Sequence, residues 1–504
     1  MRFTSTKTFL ALAALGMGSS QAWSATTPDI STLTATDAVK QICAGTLTSE
    51  ALVQAYIAQA KAKSNLNAFV TLDEQGALKA ARAADAARKK GGACQPLAGL
   101  PVVIKDNIQV KGLPATAGTP ALKDFVPAAD APVVAKLRSA GAVVMGKTHM
   151  HELAFGVTGY NPAFQTGPDV GVRNAYDQTR VAGGSSSGNG AALGARIAPA
   201  AIGTDTGGSV RIPCAFNGCA SLRPSVGRYS QQGIAPISHT RDTAGPMAQS
   251  MADVELLDRV IAGGKAIGPA DLKRVRLGVV PAFYANLDAD TRAATDAALA
   301  KLRAAGVTLV DVDMPKLMEL NGSVGFPVAL YEAHDDMVAY LAKYKTGIDI
   351  NQLTAGIASP DVKGTFEGLV NPRKLPAPNG GLVDAKPAYD NAMKNARPAL
   401  QKLYKDTFAK YKLDALVFPT VPRVALPAAP EASSPDNFGA LIQNTDPGSN
   451  AGIPGVQLPS GLGASTGLPV GLELDGPAGS DRHLVAVGMA VEGVLGRLPA
   501  PKAK

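Results

Sequence analysis

Short apolar runs alternate with helical patterns along this chain, and that alternation limits the fold more than any other feature. Pro101-Val102-Val103-Ile104 reads as a buried strand, with Lys105 directly after it. Ala142–Met145 reads as another, entered through a turn or two of helix at Val133–Leu137. Strand Val275–Val280, helix Asp290–Ala305 and strand Val307–Val312 form one αβ unit. Ala415–Phe418 and Pro469–Leu474 add strands, and Arg482–Leu495 a last helix. Residues 25–95 are predicted to be helical. Thr48 or Ser49 can cap a helix with Leu52, Val53, Tyr56 and Ile57 on its apolar positions. An Ala-rich helix over 72–90 stops at Gly91-Gly92. Long helices are predicted at 326–344 and 386–410, and a surface loop in the Pro-rich stretch 421–430. Strands separated by helices in this way build layers of sheet and helix, the α/β class.

One stretch breaks the pattern. Residues 160–250 are rich in Gly, Ser and Thr and poor in Lys and Glu. A structureless connection of that length is foreign to a compact chain. The apolar runs Ala191–Ile197 and Ala200-Ala201-Ile202 interrupt it, so its small residues are read as close backbone packing rather than flexibility.

The N-terminus has the form of a secretory signal peptide, residues 1–24. Arg2 and Lys7 precede an apolar core, Phe9 to Gly16, too short to anchor in a membrane. Ala22-Trp23-Ser24 then offers a cleavage site before Ala25. The expectation is an exported protein, periplasmic or secreted, with a mature domain over 25–500. No later run is long enough to span a bilayer. The formal net charge of +8 falls to +6 when Arg2 and Lys7 leave with no acid. No Lys/Arg block is interleaved with aromatics, which argues against a nucleic-acid partner. Cys43, Cys94, Cys214 and Cys219 form no CxxC pair and no His cluster stands beside them, so no zinc site or other metal is expected. Export permits disulfides; Cys43–Cys94 and Cys214–Cys219 is the expected pairing, with buried free thiols as the alternative.

Two glycine-rich turns are the candidates for chemistry. One is Gly183-Gly184-Ser185-Ser186-Ser187-Gly188; the other runs from Gly203 through Thr206-Gly207-Gly208-Ser209 to Arg211. Acyl transfer needs a nucleophile, a base and donors for a developing oxyanion. Turns of this kind bring hydroxyls and backbone N–H groups together, and a nest of amides suits an anion. Such turns are also common in proteins that do no chemistry, so spacing alone leaves both readings open.

Taken with Lys105, these turns resemble the amidase signature family. The resemblance is carried by Gly99-Leu100-Pro101-Val102-Val103-Ile104-Lys105-Asp106-Asn107, by Gly183 to Gly190, and by Gly203 to Pro213. Gly146-Lys147-Thr148 with Glu152, Arg223-Pro224, Gly245-Pro246-Met247 and Gly467 to Leu474 support it. It spans roughly residues 40–490, with a core over about 95–250. It implies a single α/β/α sandwich domain around a large mixed β-sheet, and hydrolysis of a small-molecule carboxamide with no cofactor. It also implies Ser209 as nucleophile, Ser185 after a cis Gly184–Ser185 bond as bridging hydroxyl, and Lys105 as base. The oxyanion would be held by the N–H groups of Thr206, Gly207, Gly208 and Ser209. Gly183, Gly184 and His149 are candidates for contact with substrate. The segment Pro236–Thr243 is similar to that of the mandelamide and indoleacetamide hydrolase branch. That favours aryl-acetamide-type substrates, with anilides, carbamates and esters as alternatives. A homodimer is compatible with the resemblance. After Pro213 the chain departs from the family pattern at Cys214, Asn217 and Cys219.

Lysine is an unusual base. A free ammonium titrates near 10.4 and holds its proton at neutral pH. Burial behind an apolar strand disfavours the ammonium, and the neutral amine can then accept a proton. Asp106 and Asp205 are read as structural partners of Arg211 and of backbone amides.

Two other readings compete. Gly184-Ser185-Ser186-Ser187-Gly188 satisfies G-x-S-x-G, which would make Ser186 the nucleophile of an α/β-hydrolase with His483. An exported solute-binding protein would share the length and texture but would turn nothing over.

Overall fold

The computed structural model describes Met1, residues 28–377 and residues 379–502; apart from Met1, the segment read as a signal peptide lies outside them. An 11-stranded sheet runs through the molecule. From edge to edge its strands are Phe69–Leu72, Val143–Thr148, Pro101–Lys105, Ala200–Asp205, Thr243–Ala248, Ala220–Arg223, Gly455–Leu462, Pro469–Asp475, Ala415–Pro419, Arg276–Val279 and Thr308–Asp311. Pro101–Lys105 lies parallel to both its neighbours, and the pairs about Arg276–Val279 are also parallel. The central strands between them pair antiparallel. The sheet is therefore mixed, and helices pack over it to form the main hydrophobic core. Among the described residues, no helix is long and apolar enough to cross a membrane.

Strands with strong apolar contrast appear where the pattern puts them. Pro101–Lys105 is buried throughout, and Thr48 caps the helix Ser49–Ala62 by accepting from the Ala51 N–H. The segment 25–95 is not all helix: Phe69–Leu72 is an edge strand paired with Gly146–Thr148. The long helix expected at 326–344 begins at Leu317 and continues through Pro327. The helix expected over 386–410 forms, and its backbone stays helical from Ala385 to Tyr411. A wider turn at Ala392–Ala396 joins Ala385–Asn391 to Arg397–Tyr411, just before Pro398, which has no N–H to extend a regular ladder. The stretch 421–430 is the expected loop, but its first half is partly buried. Val421 and Ala425 are buried with Val157, Ile212 and Phe216.

The small-residue segment forms the middle of the sheet. It contributes strands Ala200–Asp205, Ala220–Arg223 and Thr243–Ala248 and the helices Ser187–Gly194 and Arg211–Asn217. Every residue of Ser187–Gly194 is buried. A Cβ on Gly190 would lie 2.8 Å from the Pro213 carbonyl oxygen, so glycine there permits the two helices to touch. That close approach holds the two glycine-rich turns side by side.

Candidate active site

Lys105 ends the third strand from one edge of the sheet and is fully buried. Its Nζ lies 2.8 Å from Ser185 Oγ and 2.7 Å from Thr204 Oγ1. No carboxylate forms an ion pair with it among the described residues. Burial pushes its pKa down to about 7, against the opposing pull of Asp205 and Asp242. Lys147, on the adjacent parallel strand, shows the other fate of a buried lysine. Its Nζ lies 3.2 Å from Asp106 and also donates to the Pro114 carbonyl. Lys147 and Asp106 are a structural pair, while Lys105 has only hydroxyls and a carbonyl about its nitrogen.

Ser185 follows a cis Gly184–Ser185 peptide bond and stands two residues before the buried helix Ser187–Gly194. Gly183 and Gly184 pack against the backbone of Pro213 and of Val157-Thr158 respectively. The Ser186 N–H donates to the Ser209 carbonyl at 3.1 Å, which ties the two glycine-rich turns together. Ser209 leads into the helix Arg211–Asn217 and is 6 % exposed, whereas Ser185 is completely enclosed. The Ser209 turn is therefore the part that opens outward.

Asp205 shapes that turn. Its carboxylate accepts the N–H groups of Gly208 at 2.8 Å and Val210 at 3.1 Å, and pairs with Arg211 and Arg223 at 3.1 Å each. Burial alone would raise this carboxyl, but Arg211 and Arg223 hold it well below the usual range. It stays ionised and fully engaged, as a structural partner and not a base. The Gly208 N–H, expected to face an oxyanion, is thus turned inward to Asp205. With φ at +137°, Gly208 has a backbone shape that a side chain would strain. Among the described residues, the amides of Thr206, Gly207 and Ser209 meet no acceptor. The Thr206 hydroxyl donates to Asp242, and Thr445 donates to the Gly207 carbonyl, both at 2.6 Å.

Both ring nitrogens of His149, a candidate for contact with substrate, are engaged by backbone groups. The side chain is fully buried; its Nε2 meets the Ala163 carbonyl and its Nδ1 accepts from the Met150 N–H. Burial also lowers its pKa, so its ring is neutral and structural. The constellation required by the G-x-S-x-G reading is not assembled either. The Ser186 hydroxyl donates to the Thr204 carbonyl, and His483 pairs with Asp414 on another part of the sheet. Cys43 is bonded to Cys94 and Cys214 to Cys219, the second bridge closing the helix that begins after Ser209. Among the described residues, His239, Glu332 and Asp336 could together face a metal ion. Their atoms already serve one another and the Ser238 and Thr240 hydroxyls.

The residue that sequence reasoning missed is Thr204. Its hydroxyl touches Lys105 and also accepts from Asn107 Nδ2 at 3.1 Å. A threonine inside a Gly/Ser/Thr-rich run carries no sequence signal of such a role. An oxygen acceptor beside an amine favours the ammonium, so removing it shifts the amine further toward neutrality. Thr204→Val is expected to move the acidic limb of the pH–rate profile to lower pH and to cut kcat by roughly tenfold. An unchanged profile would show that Thr204 merely fills space.

The sequence matches the amidase family model over residues 51–485. It is 46% identical to the mandelamide hydrolase of Pseudomonas putida over 469 residues, which is 93% of this chain and 92% of that protein. It is 39% identical to an indoleacetamide hydrolase of Rhizobium radiobacter over 453 residues, 88% of this chain and 93% of that one. The fold is similar to that of the native peptide amidase from Stenotrophomonas maltophilia, with a TM-score of 0.78, 30% identity, and coverage of 94% and 99% of the two chains. A buried lysine between two serine-bearing turns, on a sheet shared with such enzymes, leads to one conclusion: the chain belongs to the amidase signature family and is a hydrolase of amide C–N bonds.

Proposed function

We propose that the chain cleaves small aryl-acetamide-type amides through an acyl-Ser209 intermediate, with Lys105 and Ser185 moving the protons. One observation carries this reading: the Lys105 amine, wholly enclosed and with no ion-paired carboxylate among the described residues, sits 2.8 Å from the Ser185 hydroxyl. The neutral amine takes the Ser185 proton while Ser185 takes the proton of Ser209. The freed Ser209 oxygen attacks the carbonyl carbon, and the amides of Thr206, Gly207 and Ser209 stabilise the oxyanion. As the C–N bond breaks, the proton returns through Ser185 to the leaving nitrogen, giving ammonia or an amine. Water then hydrolyses the ester by the same relay.

The substrate class follows the relatives whose names state theirs, a mandelamide hydrolase and an indoleacetamide hydrolase. Hydrolysis should be followed over a panel of mandelamide, indoleacetamide, a C-terminal peptide amide and an aryl ester. Faster turnover of the first two supports the assignment; preference for the ester or the peptide amide overturns it. Export is part of the same reading. It rests on the basic and apolar pattern of residues 1–24 and suits the two disulfides. Fractionation of a cell expressing the full chain tests it, with a mature N-terminus near Ala25 expected and an uncleaved cytosolic product against it.

The pH dependence has a definite sign. The competent base is the unprotonated amine, which is populated above its pKa. kcat/KM is therefore expected to rise with pH through an apparent pKa of about 7 and then level off. A rate limb near the ordinary lysine value of roughly 10 would contradict a desolvated base.

A further inference from the structure

Strand Pro469–Asp475 carries two carboxyl groups that the reaction scheme leaves unused. Glu473 and Asp475 are two residues apart, so they project from the same face of the strand. Both are fully buried. That face meets the underside of the Ser209 turn. The Arg211 guanidinium donates to Glu473 with one nitrogen, and its other nitrogens hold Asp205 and the Ser449 hydroxyl. Asp205 in turn receives the amides of Gly208 and Val210. Glycine at 455 leaves room for the two carboxyls. A Cβ there would lie 2.6 Å from Asp475 Oδ1 and 3.2 Å from Glu473 Oε1, so both groups crowd one point.

The charges around that point do not balance if every group is ionised. Arg211 and Arg223 face Asp205, Glu473 and Asp475. Arg241 and Asp446, next to the cluster, neutralise each other. Tyr404 faces the carboxyls from the helix Arg397–Tyr411, and Gln457 stands opposite Glu473 on the neighbouring strand. Three carboxylates would leave one uncompensated charge in a dry interior, which buried sites avoid by retaining a proton. Hydrogen bonding points the same way. Glu473 Oε2 and Asp475 Oδ2 are buried with no donor among the described residues. Two carboxylates can only accept, whereas a carboxyl can donate to a carboxylate. Burial, opposed by Arg211, raises both groups, Asp475 to about 6.

We propose that Glu473 and Asp475 share one proton and act as a singly charged positioning unit that, through Arg211 and Asp205, sets the turn carrying Ser209. The functional half of this inference rests on the reading of Ser209 as nucleophile; the shared proton does not. Glu473→Gln and Asp475→Asn each mimic the protonated partner and leave one anion for Arg211. Each single variant is therefore expected to keep most of the wild-type turnover. The double variant removes the anion and should lower kcat by about tenfold or more through displacement of the turn. Infrared difference spectra, wild type minus each single variant at neutral pH, should show the C=O stretch of a protonated carboxylic acid that is present only in the wild type. Absence of that band overturns the shared proton, whether or not the double variant folds. Single variants as damaged as the double one would also overturn it. If Ser209→Ala keeps its turnover, the nucleophile reading fails while the infrared result still stands.

Discussion

Ser209→Ala is expected to lower amide hydrolysis by at least roughly 10⁴-fold, as the loss of an activated nucleophile does in other hydrolases. The reasoning is chemical. Alanine removes the oxygen that forms the acyl-enzyme, and neither turn offers a free hydroxyl in its place: that of Thr206 is bonded to Asp242. Ser186 is spent on the Thr204 carbonyl, and Ser187 faces the Ser185 carbonyl. The structural cost is small, since only one hydroxyl on the outward side of the turn is lost. Folded Ser209→Ala protein that binds amides, accumulates no acyl adduct by mass spectrometry and shows no turnover is the expected result. Turnover near the wild-type rate would move the nucleophile elsewhere.

The second large effect falls on stability. Asp205→Ala is expected to destabilise the protein by about 3–5 kcal/mol, the range seen when one partner of a buried ion pair is removed. Two guanidinium groups, Arg211 and Arg223, both wholly buried, would lose the carboxylate that holds them. The Gly208 and Val210 amides would lose their acceptor. Replacing Arg211 by Met as well should recover part of the loss, because it removes a charge left without its partner. Chemical denaturation of the single and double variants checks both statements. A loss under about 1 kcal/mol for Asp205→Ala would mean that water reaches the network and screens it.

How much of this could be read from the chain depends on contrast. Pro101–Lys105 and Ala415–Pro419 stand out because runs of Val, Ile, Leu and Phe differ from their surroundings. Ala200–Asp205 and Thr243–Ala248 are more central still, yet they are built mostly of Ala, Gly and Thr, and only the short run Ala200-Ala201-Ile202 stands out as apolar. Position 105 was legible as a buried lysine because it ends such a run. The pairing of Ser185 with it was legible only through family resemblance, because the two are 80 residues apart. Thr204 as a partner of Lys105, the inward turn of the Gly208 amide and the enclosure of His149 depend on backbone direction at single residues. Composition and periodicity carry no information about that. Glu473 reaches Arg211 across 262 residues, and only the completed sheet brings them together.

The most direct measurement is the protonation state of Lys105 itself. Nitrogen-15 NMR of protein with labelled lysine side chains, with the Lys105 signal identified by its loss in Lys105→Ala, follows that nitrogen alone. A signal that changes from ammonium to neutral amine near pH 7 is the predicted result. An ammonium signal that persists well into alkaline pH would contradict a proton relay through this residue.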